Sequence, residues 1–168
     1  MISAILISLL ATSGIWLDVP FVRQPDKGCG SAVVWMVLQY WSGTKDNTEQ
    51  APTLEEIHSS IYSDQMGGVS TTDMERFFRS LNYETYSFRG EWRDLEQHLS
   101  KGRPLIVCLQ PGGRMAPLHY VTVTGVDRDH DIVLVNDPSG RKLQKVHRRD
   151  FERQWKLADN WTLLVLPQ

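Results

Sequence analysis

The pattern of apolar and polar residues differs between the two halves of the chain: the first half has helix-like patterns and the second half strand-like ones. In the first half, "SAVVWMVLQYW" is apolar on every side of a helix, which predicts a buried helix over residues 30–41. Two further helices are indicated by capping patterns, since Thr53 and Glu56 open "LEEIHSSIY" while Ser70 and Asp73 open "TTDMERFFRSL". A strand at "ETYSF" and a helix around "DLEQHLSKG" complete this helical half.

The second half shows strand-like patterns instead. Alternating or β-branched runs separated by turn residues predict strands at "LIVCL", "HYVTVTGVD", "DIVLVND" and "WTLLVL". One more helix, over residues 149–155, interrupts them. Helices followed by an antiparallel sheet predict an α+β domain in which the buried helix packs against the sheet.

The first fourteen residues, "MISAILISLLATSG", differ from the rest of the chain. An apolar run is followed by small residues, with Ala11 and Ser13 placed as the pair before a cleavage site. This layout predicts a signal peptide at residues 1–14, an exported protein, periplasmic or secreted, and a single domain over residues 15–168. The segment carries no Lys or Arg, and a buried first strand in a cytoplasmic protein is the alternative. No other run is long and apolar enough to span a membrane.

Composition and charge narrow the classes of partner. A chain of 168 residues is long enough to form one core without a cofactor. The 18 Lys and Arg residues nearly balance the 20 Asp and Glu residues, and no basic stripe with interleaved aromatic residues is present, so we expect no nucleic-acid partner. No CxxC or HExxH spacing occurs, so we expect no metal ion. We also expect a monomer.

The two cysteines have different sequence surroundings. Cys108 lies within the predicted strand "LIVCL", where cysteine behaves as a small hydrophobic residue, and two cysteines are too few for a disulfide framework. Cys29 lies at the start of the buried helix, where free backbone N–H groups and the helix dipole favour a thiolate. Gly28 and Gly30 leave space for another chain to approach its sulfur. Cys29 is therefore a candidate nucleophile, and a small core residue in a tight turn is the alternative.

A nucleophilic cysteine needs a base, and the base needs an orienting group. His119 opens a predicted strand and can face a cleft, whereas the other histidines lie in polar helices or turns where a solvated side chain is expected. The next strand returns antiparallel and brings either Asp137 or Asn136 beside His119, since adjacent strand residues point to opposite faces. Asp137 is favoured because a carboxylate also stabilises the imidazolium. Gln24 and the Cys29 backbone N–H are placed to stabilise an oxyanion.

Three segments carry a resemblance to a known family: "DVPFVRQPDKGCGSAVVWMVLQYW", "PLHYVTVTGVD" and "IVLVNDP". They are similar to the bacteriocin-processing (double-glycine leader) peptidases, family thirty-nine of the papain-like cysteine peptidases, and to their stand-alone relatives. The resemblance implies a papain-like fold and a cysteine peptidase without cofactor or metal. It also implies four roles: Gln24 as oxyanion donor, Cys29 as nucleophile, His119 as base and Asp137 as orienting acid.

The resemblance does not extend to one substrate. The leader peptidases of that family are cytosolic domains joined to a membrane transporter. Because we expect an exported chain without a transporter module, we do not expect a double-glycine leader as its substrate. The function expected is hydrolysis of a peptide bond. A non-cleaving peptide-binding module of the same fold, and transpeptidase or transglutaminase-like transfer to an amine, are the alternatives.

The walls of the substrate cleft are expected from two glycine-rich segments, residues 63–73 and 110–117. Gly68, in the first of them, is a candidate substrate-binding residue, as are Gly28 and Gly30 beside the cysteine. Three aspartates near these segments favour a basic peptide, although solvated loop charges explain them equally well: Asp26, Asp64 and Asp73.

Overall fold

The computed structural model describes residues 14–44 and 51–168, so the predicted signal peptide lies outside the described residues except for Gly14. In this part of the chain the helices are α1 (Cys29–Ser42), α2 (Leu54–Ile61), α3 (Thr71–Ser80), α4 (Trp92–Ser100) and α5 (Arg148–Leu157). The strands are β1 (Gly14–Trp16), β2 (Tyr62–Ser63), β3 (Gly68–Val69), β4 (Tyr83–Arg89), β5 (Leu105–Leu109), β6 (His119–Asp127), β7 (Ile132–Asn136), β8 (Gln144–His147) and β9 (Trp161–Pro167).

Most of the strands form one antiparallel sheet in the order β4-β9-β5-β6-β7-β8. Strand β6 is the longest, and it pairs with β7 along one edge and with both β5 and β1 along the other. Strands β2 and β3 form a separate small hairpin. The predicted α+β class is confirmed. This topology places the beginning of β6 beside the end of β7, where the candidate site lies.

Helix α1 packs against one face of the sheet, as its all-round apolar sequence predicts. Most of the helix is buried, and its valines share one hydrophobic cluster with alternate residues of β5 and β9. Helices α2 and α3 add their apolar faces to the same cluster. Fully buried members of the cluster from the helices and the sheet include Val33, Val37, Ile57, Met74, Phe78, Ile106 and Leu163. The packing holds the first turn of α1 against β6.

The opposite face of the sheet is covered as well, by α4 and α5. Leu95 and Leu99 of α4 and Phe151 and Trp155 of α5 form a second hydrophobic cluster with the other set of sheet residues. Strand β5 is therefore buried at every position, which explains why its sequence is a continuous apolar run. Both faces of the sheet are therefore covered by helices.

The helix starts agree with the capping patterns. At α2 the Glu56 backbone N–H donates to Thr53 Oγ1 at 3.2 Å, and the Thr53 N–H donates to the Glu56 carboxylate at 2.8 Å. At α3 the Asp73 N–H donates to Ser70 Oγ at 3.0 Å. Helix α4 begins at Trp92, earlier than predicted, with Glu91 as its capping residue.

Three short strands have no sequence signal of their own. Strands β2 and β3 span two residues each and exist only through their pairing with each other. Strand β8, "QKVH", is a polar edge strand paired with β7. Its last residue, His147, was expected in a helix or turn.

Two histidines expected to be solvated make tertiary contacts instead. His58 Nδ1 lies 3.0 Å from Oγ of the buried Ser31, and its ring stacks on Tyr62 with centroids 4.5 Å apart. The half-buried His98 ring lies beside Phe88, 6.1 Å between centroids. Polar sequence neighbours did not reveal these contacts because packing between α1 and α2, and between α4 and the sheet, determines them.

Candidate active site

Cys29 is the first residue of α1, and its thiol is free and half-buried. No side chain caps this helix start, because the N-cap residue is Gly28. The sulfur instead accepts hydrogen bonds from the backbone N–H groups of Gly30 and Tyr120 and also bonds to the His119 side chain. The helix start and the beginning of β6 therefore hold the sulfur from two sides.

His119 and Asp137 lie side by side because of the pairing between β6 and β7. Thr122 lies opposite Asn136 in the register, so the first residue of β6 is close to the residue that follows β7. His119 Nε2 lies 2.8 Å from Asp137 Oδ1. The His119 side chain is also a hydrogen-bond partner of the Cys29 thiol. The imidazole thus bridges a thiol and a carboxylate.

Asn136 does not contact the imidazole, and its side chain hydrogen-bonds to two backbone segments instead. Its side chain is fully buried. The Nδ2 group donates to the carbonyl of Val19 at 3.0 Å, and Oδ1 accepts from the Leu143 N–H at 2.9 Å. Of the two candidates for orienting His119, the structure therefore brings Asp137 to the ring and uses Asn136 to hold the segment that leads to Gln24.

Gln24 lies in the same groove as Cys29, His119 and Asp137. Its backbone N–H donates to the Pro138 carbonyl at 3.0 Å, so the segment before the cysteine is tied to the loop after Asp137. The side-chain oxygen Oε1 is buried and has no hydrogen-bond partner in the described residues.

The charges of the three central side chains depend on one another. Burial would raise the pKa of the Cys29 thiol, but the hydrogen bonds from His119 and Tyr120 and the His119 charge lower it below 9.0. Burial would lower the pKa of His119, but Asp137 and Cys29 raise it to about 9. Burial would raise the pKa of Asp137, but His119 and Ser139 lower it to about 2. These interactions favour the thiolate form of Cys29 together with the imidazolium form of His119.

The groove that contains these side chains has a volume of about 870 Å³. One wall is formed by the β2–β3 hairpin and the start of α3, from Met66 to Thr71. The other wall contains Pro111, Pro117 and Leu118. Both segments expected as cleft walls thus contribute. Met66 and Leu118 are large apolar side chains left exposed, 65% and 54%, at this groove.

The glycines near the cysteine do not share one role. Gly28 and Gly30 are not among the residues that line the groove, contrary to the expected substrate-binding role. A Cβ at Gly28 would lie 2.5 Å from Pro25 Cγ, and one at Gly30 would lie 2.5 Å from Val69 Cβ. The space that these glycines leave is filled by the protein's own side chains. Gly68 does line the groove.

The three aspartates expected to favour a basic peptide do not line the groove: Asp26, Asp64 and Asp73. Asp73 is bound to Arg76 at 2.7 Å and to the Ser70 hydroxyl at 2.6 Å. Four lining residues were not predicted from the sequence: Lys27, Leu118, Tyr120 and Ser139. The signal for Ser139 was its position two residues after Asp137, where such side chains form turns with the carboxylate.

Ser139 adds two donors to the Asp137 carboxylate. Its backbone N–H lies 2.9 Å and its hydroxyl 2.8 Å from Asp137 Oδ1. The same hydroxyl lies 3.5 Å from His119 Nε2. One carboxylate oxygen is therefore held by His119 and by both donors of Ser139.

Neither a metal site nor a membrane span is found in the described ranges, 14–44 and 51–168. No three His, Cys, Asp or Glu side chains in them cluster so that they could hold a metal ion. No helix in these ranges is sufficiently long and apolar to cross a bilayer.

One protein family matches most of the chain. The model of the Peptidase_C39 like family matches residues 16–162. No curated protein matches the chain in sequence. The family match supports cysteine-peptidase function in general.

Solved structures of peptidases share the fold. A C39-like peptidase from Bacillus anthracis has a TM-score of 0.71 at 19% identity, covering 92% of this chain and 98% of that chain. The peptidase domain of Streptococcus ComA, a bi-functional ABC transporter involved in quorum sensing, has 0.69 at 20%, covering 88% and 98%. A double glycine motif protease from an AMS/PCAT transporter, in complex with the leader peptide, has 0.69 at 21%, covering 91% and 94%. The papain-like fold expected from the resemblance is confirmed.

Proposed function

Because the chain belongs to the Peptidase_C39 like family, we propose that it is a cysteine peptidase in which Cys29 is the nucleophile, His119 the acid and base, and Asp137 the orienting group. This proposal depends most on the position of the His119 ring. The ring is hydrogen-bonded to the Cys29 thiol and, at 2.8 Å, to the Asp137 carboxylate. A nucleophile, a base that contacts it and a group that orients the base are the parts that covalent acyl transfer requires.

In the first half of the reaction, the Cys29 thiolate attacks the carbonyl carbon of the scissile peptide bond. The negative charge that develops on the carbonyl oxygen is stabilised by Gln24 and the Cys29 backbone N–H. The His119 imidazolium gives its proton to the leaving nitrogen, the C–N bond breaks, and a thioester on Cys29 remains.

In the second half, neutral His119 removes a proton from water, and the hydroxide attacks the thioester. The C–S bond breaks, the peptide acid leaves, and the Cys29 thiolate and the His119 imidazolium are regenerated. Asp137 stabilises the imidazolium and fixes the ring orientation in both halves.

The substrate is proposed to be a peptide in extended form. The groove lies between the hairpin wall and the proline wall, and Gly67 and Gly68 leave their backbone without side-chain cover. The AMS/PCAT relative binds a leader peptide. That likeness supports a peptide as the substrate class.

The proposal is tested by incubating the full chain with a mixed peptide pool and identifying new termini by mass spectrometry. We expect cleavage by the native protein and a rate at least about a thousandfold lower for Cys29→Ala. Cys108→Ala is the matched control and retains cleavage. Equal cleavage by Cys29→Ala would exclude the mechanism. Reaction in ¹⁸O water distinguishes hydrolysis, which labels the new carboxylate, from transfer to an amine, which does not.

A further inference from the structure

One charged side chain in the groove has no role in the proposed reaction. Of the residues that line the groove, Lys27, Cys29, His119 and Asp137 can carry charge, and the last three interact with one another. Lys27 is exposed, and no ion pair or hydrogen bond of its side chain is found within the described part of the chain. The groups that lower the pKa of Cys29 are His119 and two backbone N–H groups, and Lys27 is not among them.

Lys27 is held in a defined place beside the nucleophile. Its φ of 52° lies in the left-handed region, which residues other than glycine adopt at a cost. The turn is closed by the Gly28 N–H, which donates to the Pro25 carbonyl at 3.0 Å. Pro25 also packs where a Cβ of Gly28 would be. The lysine therefore emerges from a fixed turn two residues before Cys29.

The rest of the groove does not neutralise this charge. The opposite wall contains Ser70 and Thr71, the start of α3, where the helix dipole is positive. Asp73, the acidic residue in that first turn, does not line the groove and is bound by Arg76 and Ser70. A substrate in the groove thus meets a free cation near the scissile bond and no free carboxylate.

We propose that Lys27 makes the groove selective for peptides that carry a carboxylate close to the scissile bond. This inference rests on the proposed peptidase function and names its substrate class. It reverses the expectation of a basic peptide, because the aspartates on which that expectation depended lie outside the groove. The carboxylate comes from an acidic side chain or from a free C-terminus, and both present the same chemistry to an ammonium group.

The test uses short peptides with blocked ends, randomised over uncharged residues, in which each position in turn is fixed as Glu or as Gln. They are bound to immobilised Cys29→Ala protein, and the retained Glu to Gln ratio is measured by mass spectrometry. A partly exposed ion pair predicts a ratio of about threefold to fivefold at one or two adjacent positions. The ratio falls towards one at high salt. A parallel set with a free C-terminus distinguishes the two sources of carboxylate.

Three variants assign the preference to Lys27. Lys27→Asn removes the charge and suits the left-handed backbone, so we expect the ratio to fall to about one. Lys27→Arg retains the preference, and Lys156→Met, an exposed lysine outside the groove, is the matched control that leaves it unchanged. An equal ratio at every position in the Cys29→Ala protein, or an unchanged ratio in a Cys29→Ala, Lys27→Asn protein, would overturn the inference.

Binding and cleavage separate the two proposals. If the Glu preference is found but the native protein cleaves none of the peptides, the carboxylate site stands and the peptidase function fails. If the native protein cleaves the Glu and Gln peptides equally and binds them equally, the peptidase function stands and the selectivity for a carboxylate fails.

Discussion

The two cysteines share one hydrophobic cluster but have opposite acid–base properties. Cys108 belongs to the cluster, and Cys29 packs against it. Burial raises the pKa of Cys108 to about 12, as expected for a thiol within a covered strand. Burial acts on Cys29 too, yet its pKa lies below 9.0. Burial alone thus makes an inert thiol, and the difference must come from polar partners.

Those partners come from the ends of secondary-structure elements. Cys29 begins α1 and receives the backbone N–H of Tyr120 and the His119 side chain at the start of β6. Cys108 lies within β5 and is opposite Tyr120 in the sheet register. The same segment of β6 therefore supports a reactive thiol at the helix end and covers an inert thiol in the strand.

The largest effect expected from this comparison is in the rates of alkylation. At neutral pH, iodoacetamide should modify Cys29 at least about a hundredfold faster than Cys108, because the thiolate is the reactive form. Peptide mapping by mass spectrometry after timed quenching measures both rates in one sample. In denaturant the two rates should converge. Similar rates in the folded protein would mean that the two environments do not differ as described.

A smaller effect, on stability, is expected from Ser139. This residue supports Asp137 and so the Cys29–His119–Asp137 series of contacts, which has no counterpart at Cys108. Ser139→Ala removes one hydrogen bond from the Asp137 carboxylate and should lower the free energy of unfolding by about 1 kcal/mol near pH 6. The folded-state pKa of Asp137, about 2, is below that of an unfolded aspartate. This stabilisation is therefore present above about pH 4 and is lost as the pH falls through about 2.

Chemical denaturation near pH 6 and near pH 2 checks this prediction. Ser100→Ala, which removes an exposed hydroxyl bonded only to the Gln97 carbonyl, is the matched control and should show no such pH dependence. Equal losses at both pH values for Ser139→Ala would mean that Ser139 does not act through the carboxylate.

Local sequence signals predicted the elements that position the site. The apolar stretch over residues 30–41 predicted α1, and the capping residues Thr53 and Ser70 predicted α2 and α3. The alternating or β-branched runs predicted β5, β6, β7 and β9. The return of β7 along β6 was enough to expect Asp137 or Asn136 beside His119. These features depend on residues close in sequence or on the pairing of two successive strands. They can therefore be predicted from the sequence pattern.

Features that depend on packing between distant segments were not predictable in the same way. The role of Gly30 depends on Val69 of the hairpin, which packs where a Cβ would be. His58 reaches Ser31 across two helices. Lys27 and Ser139 are ordinary turn residues in the sequence, and only the assembled groove shows that both line it.

The central claim, that Cys29 is an activated thiolate, is tested most directly by the ultraviolet absorbance of thiolates as a function of pH. The difference between the native protein and Cys29→Ala isolates this one group. We predict a thiolate signal with a midpoint below the ordinary value of 9.0, and a midpoint that moves upward in His119→Ala. A midpoint at or above 9.0 in the native protein would contradict the account.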